Sequence, residues 1–148
     1  MSENPTIEDV KNVEKNFNAN KNSPDKKDTI TKSLKEIFKI WKNLESDEIF
    51  EETYKVTYQI IEFMFENKLQ SLCTTNLDED DLIELNKFFF ETYKKIGEKK
   101  ELGSLKSTKL FPLHQEIISK GGVGMLHRSL FSTQRTSKNK NKFYYYYY

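Results

Sequence analysis

From Asp28 onward, apolar residues return every three or four positions, at Ile30, Leu34, Ile37, Phe38, Trp41 and Leu44. That period lays them along one face of a helix, predicted over residues 29 to 45. Ser46 follows with Asp47 and Glu48, a side chain able to cap the next helix and two acids set against the positive end of its dipole. This second helix, predicted over 47 to 70, carries Phe50, Tyr54, Val56, Tyr58, Ile60, Ile61 and Met64 on more than one face. Such breadth suits a central helix covered on both sides.

Asn76-Leu77-Asp78-Glu79 places a capping side chain three residues ahead of a glutamate, a capping box that opens a third helix over 77 to 100. Leu82, Leu85, Phe89 and Ile96 form its stripe, and Ile83, Phe88, Phe90 and Tyr93 widen it. Lys94, Lys95, Lys99 and Lys100 gather at the negative end of its dipole, with Gly97 fraying the helix and Gly103 stopping it. Residues 104 to 112 read as a loop. Pro112 then begins a short helix through Leu113 and Ile117 that ends at Gly121-Gly122, and a last short helix holds Val123, Leu126 and Leu130. No alternation long enough for a strand interrupts the series. The expected fold class is all-α: a small helical bundle of three principal helices and two short C-terminal helices, centred on Leu34, Phe38, Trp41, Ile60, Met64, Leu82, Leu85 and Phe89.

Both ends read differently from this body. Residues 1 to 27 hold six Asn and two Pro. Ile7, Val10, Val13 and Phe17 allow a turn or two of helix, but KNFNANKNSPDKK breaks it with side chains that compete for backbone hydrogen bonds. The expectation is a disordered polar arm over 1–27, a helical domain over 28–132, and a disordered basic and tyrosine-rich tail over 133–148 that contains TSKNKNK, Phe143 and five terminal tyrosines.

Composition narrows the class. A chain of 148 residues with 36 % hydrophobic and 14 % aromatic residues can build one ordinary core, which excludes a multidomain enzyme. Cys73 is the only cysteine, so an intramolecular disulfide and a four-thiolate zinc site are both excluded. No run approaches the roughly 18 apolar residues of a membrane span, and the acidic start MSENPTIEDVKN lacks the features of a targeting peptide. Residence in the cytosol or nucleus is expected. The net charge of +1 conceals a split: eleven lysines against sixteen acids over residues 28 to 100, a net −5, and eight basic against two acidic residues from 101 to 148, a net +6. Opposite fields on one chain can steer different partners to different parts of it.

Few residues offer chemistry. The segment Ile117-Ile118-Ser119-Lys120-Gly121-Gly122-Val123-Gly124 resembles the start of the deviant phosphate-binding loop of partitioning-type ATPases. In such a loop a following Lys reaches the phosphates and a Ser or Thr holds magnesium. Met125 and Leu126 occupy those positions here and can supply neither, so a helix stop explains the glycines. Counting a calcium loop from Asn76 puts Asp81 where Gly is needed and Lys87 where a bidentate Glu is needed, and the match fails. His114 and His127 are read as a satisfied or an exposed histidine, Cys73 as a buried thiol beside Leu72, and the carboxylate pairs Glu51-Glu52 and Asp80-Asp81 as solvated faces. No catalytic residue, cofactor or metal site is expected.

The surplus apolar surface of the second and third helices points instead to a non-catalytic protein–protein interaction module or small complex subunit. The partner is an unidentified protein, met through Leu113, Ile117, Val123, Met125, Leu126, Leu130 and Phe131. The alternative is a nucleic-acid-binding accessory protein that uses Arg128, Arg135, Lys138, Lys140 and Lys142, which lead into Phe143 and the terminal tyrosines.

Overall fold

Thr6 starts a helix where the hydrophobic pattern was too thin to hold one. Its hydroxyl accepts from the Asp9 backbone N–H at 3.2 Å while the Asp9 carboxylate accepts from the Thr6 N–H at 2.9 Å, a complete capping box. In the computed structural model, which describes residues 4–100 and 103–133 apart from the side chains at 123, 126 and 130–133, the helix that follows is α1 (Ile7–Asn20). Val10, Val13 and Phe17, at steps of three and four, are buried against α2 (Lys26–Lys42) and α3 (Asp47–Glu66). Residues Ile7–Asn20 therefore form an ordered helix inside the stretch expected to be a disordered arm. The asparagines lie on its exposed side, and each buried apolar side chain contributes roughly 1.5–3 kcal/mol, enough to offset their weak helix propensity. Phe17 also meets Phe63 of α3 edge-on at 5.4 Å, and the Gln59 amide donates to Glu14 at 2.9 Å.

The next two helices follow the pattern closely. Asp25 caps α2 by accepting from the Asp28 N–H at 3.0 Å, and Ser46 caps α3 through the Ile49 N–H at 3.5 Å, with Asp47 and Glu48 in the first turn. Trp41 is locked between them. Its Nε1–H donates to Thr57 Oγ1 at 2.9 Å, and its ring meets Phe50 edge-on at 5.3 Å. After α3 the short α4 (Leu72–Thr75) buries Leu72 and Cys73, whose thiol donates to Met64 Sδ at 3.6 Å.

Chain contacts divide the protein into two compact units, one ending at Leu77 and the other beginning at Asp78. In the second unit Asp78, not Asn76, caps α5 (Glu79–Gly97). Asp78 accepts from the Asp81 N–H at 3.0 Å, and Asp81 accepts from the Asp78 N–H at 3.2 Å. The box lies two residues later than the sequence suggests, because Asn76 closes α4 and its amide donates to Thr31 at 3.3 Å.

The last element is α6 (Ser107–Thr133), which begins at Ser107 rather than Pro112 and absorbs the expected loop. Proline inside a helix costs about 3 kcal/mol. Leu110, Leu113 and Ile117, each at most 4 % exposed, recover more than that by packing on α5. The helix breaks at Gly122, whose φ of 81° and ψ of 177° are open to glycine and to almost nothing else. Helices make up the regular structure of the described residues, and they contain no strand. No described helix is long and apolar enough to cross a membrane.

Candidate functional site

The densest cluster of chemically capable side chains lies inside the second unit. Asn86, Phe89, Phe90 and Tyr93 recur at steps of three and four and so share one face of α5. Facing them, α6 presents Leu110, Leu113, His114 and Ile117, its own buried stripe. His114 is thus a helix-stripe residue placed where a leucine would ordinarily sit.

Both of its ring nitrogens are engaged. Nδ1 lies 2.9 Å from the Tyr93 hydroxyl and Nε2 lies 2.8 Å from Asn86 Oδ1. The other end of the Asn86 amide donates to Ser129 Oγ at 3.4 Å, and the Ser129 hydroxyl donates to the Met125 carbonyl at 2.9 Å. With Asn86 Oδ1 able only to accept, Nε2 carries the proton and Nδ1 accepts from Tyr93. The rings of Phe89 and Phe90 approach that of His114 at 4.7 and 5.8 Å. Burial among them lowers the His114 pKa to about 4, so the ring is neutral at pH 7, and burial likewise pushes the Tyr93 phenol upward. The result is a directed chain of hydrogen bonds from Tyr93 through His114 and Asn86 to Ser129, tying both parts of α6 to α5.

That order limits its chemistry. A serine nucleophile needs a base within reach of its hydroxyl. Here the Asn86 amide stands between Ser129 and His114, and Ser129 is fully buried. The geometry serves helix pairing.

A second group of polar side chains is buried along α5. Glu84 and Lys87 pair at 2.6 Å, and Glu91 pairs with Lys94 at 3.8 Å and Lys95 at 3.4 Å. Sequence spacing alone gives these i,i+3 and i,i+4 pairs the look of a solvated face. Among the described residues no group of three or more His, Cys, Asp or Glu side chains could hold a metal ion.

The residues assigned to partner contact separate into two sets. Leu113, Ile117 and Met125 are buried, at 4 %, 0 % and 0 % exposure, and serve the packing within the second unit. The side chains of Val123, Leu126, Leu130 and Phe131 lie outside the described ones. Of the basic residues, Arg128 is exposed and paired with Glu79, while Arg135, Lys138, Lys140 and Lys142 lie outside the described residues. His127 is exposed. The residue that sequence reading missed is Phe111, 52 % exposed, with its ring 5.1 Å from that of half-buried Tyr93. The signal was present: one position beyond Leu110 turns a side chain about 100° away from the buried stripe.

The chain matches no family model, no curated protein and no solved structure.

Proposed function

We propose that this protein is a non-catalytic interaction module whose contact surface includes the Phe111–Tyr93 aromatic pair on the second unit. The observation that carries this reading is Phe111: a large apolar side chain, 52 % exposed, set against a second aromatic ring on a helix pair that buries Leu110, Leu113 and Ile117. An exposed ring held by a neighbouring ring loses little side-chain entropy on binding, which is what a contact residue needs. The closed Tyr93–His114–Asn86–Ser129 chain supports the same reading, because it makes the platform stiff and leaves its histidine facing inward. The partner is a protein with an apolar recess for an aromatic side chain, met in the cytosol or nucleus.

Affinity capture with the full chain and with Phe111→Asp tests this. The parent should recover a protein that the variant loses, while both retain the same thermal melt. Equal recovery by both chains, or recovery of nucleic acid in place of protein, would overturn the proposal.

A further inference from the structure

Ser23-Pro24 stands in the turn between α1 and α2, and nowhere else in the chain does a serine or threonine precede a proline; the other two prolines follow Asn4 and Phe111. Lys26 and Lys27 come three and four positions after the serine. Asn22, Pro24 and Asp25 are exposed and Ser23 is half-buried, so the pair and its flanks meet solvent outside any helix.

The Ser23 hydroxyl is bonded, but loosely. It lies 3.3 Å from Thr29 Oγ1, and Thr29 spends its own proton on the carbonyls of Asn20 at 3.3 Å and Asp25 at 3.2 Å, so Ser23 is the donor. These contacts, with the Ser23 N–H donating to the Asn20 carbonyl at 3.0 Å, fasten the end of α1 to the start of α2. All three hydroxyl contacts are longer than the roughly 2.7–2.8 Å usual for O–H···O bonds. Such a turn opens at little cost.

The residue after the serine selects what can use it. Proline has no backbone N–H, so a protein groove can take it against apolar atoms alone, whereas any other residue there would bury an unpaired donor. Proline also keeps the residue before it out of the helical region and in an extended conformation, as a segment laid across an enzyme cleft requires. The lysines just beyond suit an acidic rim.

We infer that Ser23 is a phosphorylation site for a protein kinase that recognises proline directly after the acceptor and a cation three positions on, and that the modification loosens the α1–α2 turn. Ser23 Oγ attacks the γ-phosphorus of magnesium-bound ATP. The new O–P bond forms as the bond from that phosphorus to the β–γ bridging oxygen breaks, ADP leaves, and the hydroxyl proton passes to the catalytic aspartate of the kinase. Oγ then has no proton to give Thr29, and the turn gains a charge of about −1.5 to −2. Lys26 and Lys27 offset the repulsion of that charge by Asp25 and Asp28 but cannot restore the donor lost to Thr29. The site is independent of the contact surface proposed above.

The full chain, incubated with a purified cyclin-dependent kinase and ATP, should take up phosphate at a single residue, which peptide mass mapping places at Ser23. Ser23→Ala should take up none, and Ser23→Thr, which keeps a hydroxyl before the proline, should retain uptake. Pro24→Ala should slow transfer at least about tenfold, the cost of burying an unpaired N–H in the kinase groove, and Lys26→Gln should slow it by a smaller factor. Thermal melts of each unmodified variant exclude a folding defect. The phosphorylated parent should melt a few degrees below the unmodified one, the loss of one hydrogen bond. No uptake, uptake at a residue other than Ser23, equal rates for parent and Pro24→Ala, or a phosphorylated chain that melts no lower than the unmodified one would overturn the proposal.

Discussion

Trp41 carries both forces that hold the first unit together, a large buried apolar surface and a hydrogen bond that keeps its one polar atom satisfied. Trp41→Ala removes the first and takes away the N–H that Thr57 Oγ1 accepts, leaving that hydroxyl its bond to the Thr53 carbonyl, so it should cost about 3–5 kcal/mol. Trp41→Phe keeps most of the packing and should cost less. Urea denaturation followed by far-ultraviolet circular dichroism measures both, since the variants lack the fluorophore. A loss under about 1 kcal/mol for the alanine variant would place Trp41 outside the core. His114 sets a different dependence, on pH. The unfolded chain takes up a proton on this histidine near pH 6.5, the folded chain only near pH 4, so acidification favours the unfolded state across that window. Stability should be full above pH 7, fall by about 2 kcal/mol at pH 5, and approach a loss of about 3 kcal/mol near pH 4. His114→Gln should reduce this slope between pH 7 and 5, where the chain's other histidine, His127, serves as the control through His127→Asn. The burial of Trp41 is legible in the stripe Leu34, Ile37, Trp41, whereas its bond to Thr57 is not, because residues sixteen positions apart meet only once two helices have packed.

At the scale of elements, helix ends show what local sequence resolves. Two lysines occupy the left-handed conformation that ends a helix, Lys68 at φ 57° after α3 and Lys99 at φ 60° after α5. Each is followed by the long backbone bond of that motif, Leu69 N–H to the Met64 carbonyl at 3.0 Å and Lys100 N–H to the Lys95 carbonyl at 2.7 Å. A side chain with a Cβ is strained there, so Lys68→Gly and Lys99→Gly should each stabilise the protein, by up to about 1 kcal/mol. Gly122→Ala should do the reverse and cost more than about 1 kcal/mol, because its φ and ψ exclude alanine. Differential thermal melts of the three variants decide the matter, and a destabilised Lys99→Gly would show that its stem packs on the helix end. The Ser46 cap was readable because serine and two acids stand together. The α5 cap was displaced by two residues because Asn76 and Asp78 are equally good caps until α4 claims the asparagine. The α1 helix and the true start of α6 were hidden by asparagines and by Pro112, local penalties that burial of Phe17 and Leu110 outweighs.

Over the whole molecule, the eight residues expected at one centre are all buried, but five of them fall before Leu77 and three after it, so the hydrophobic pattern reveals membership of a core and not how many cores there are. Charge follows the same boundary. Residues 1 to 77 carry eleven lysines and fourteen acids, a net −3, and residues 78 to 148 carry thirteen basic residues and nine acids, a net +4. Long-range fields therefore favour cations at the first unit and anions at the second. Whether the second unit binds phosphate chains specifically is decided by salt. If Arg135, Lys138, Lys140 and Lys142 each neutralise one phosphate of a single strand, log affinity should fall with log salt at a slope of about −3, that is roughly −0.7 for each contact. The interaction-module reading predicts instead weak, unsaturating association, with a slope that changes little when those four residues are replaced by glutamine. Fluorescence anisotropy of a labelled single-stranded oligonucleotide, titrated between 50 and 300 mM salt with parent and fourfold variant, separates the two. Tight binding that loses its salt dependence in the variant would assign the function to the basic tail, and would leave Phe111 as an exposed ring with no partner to meet.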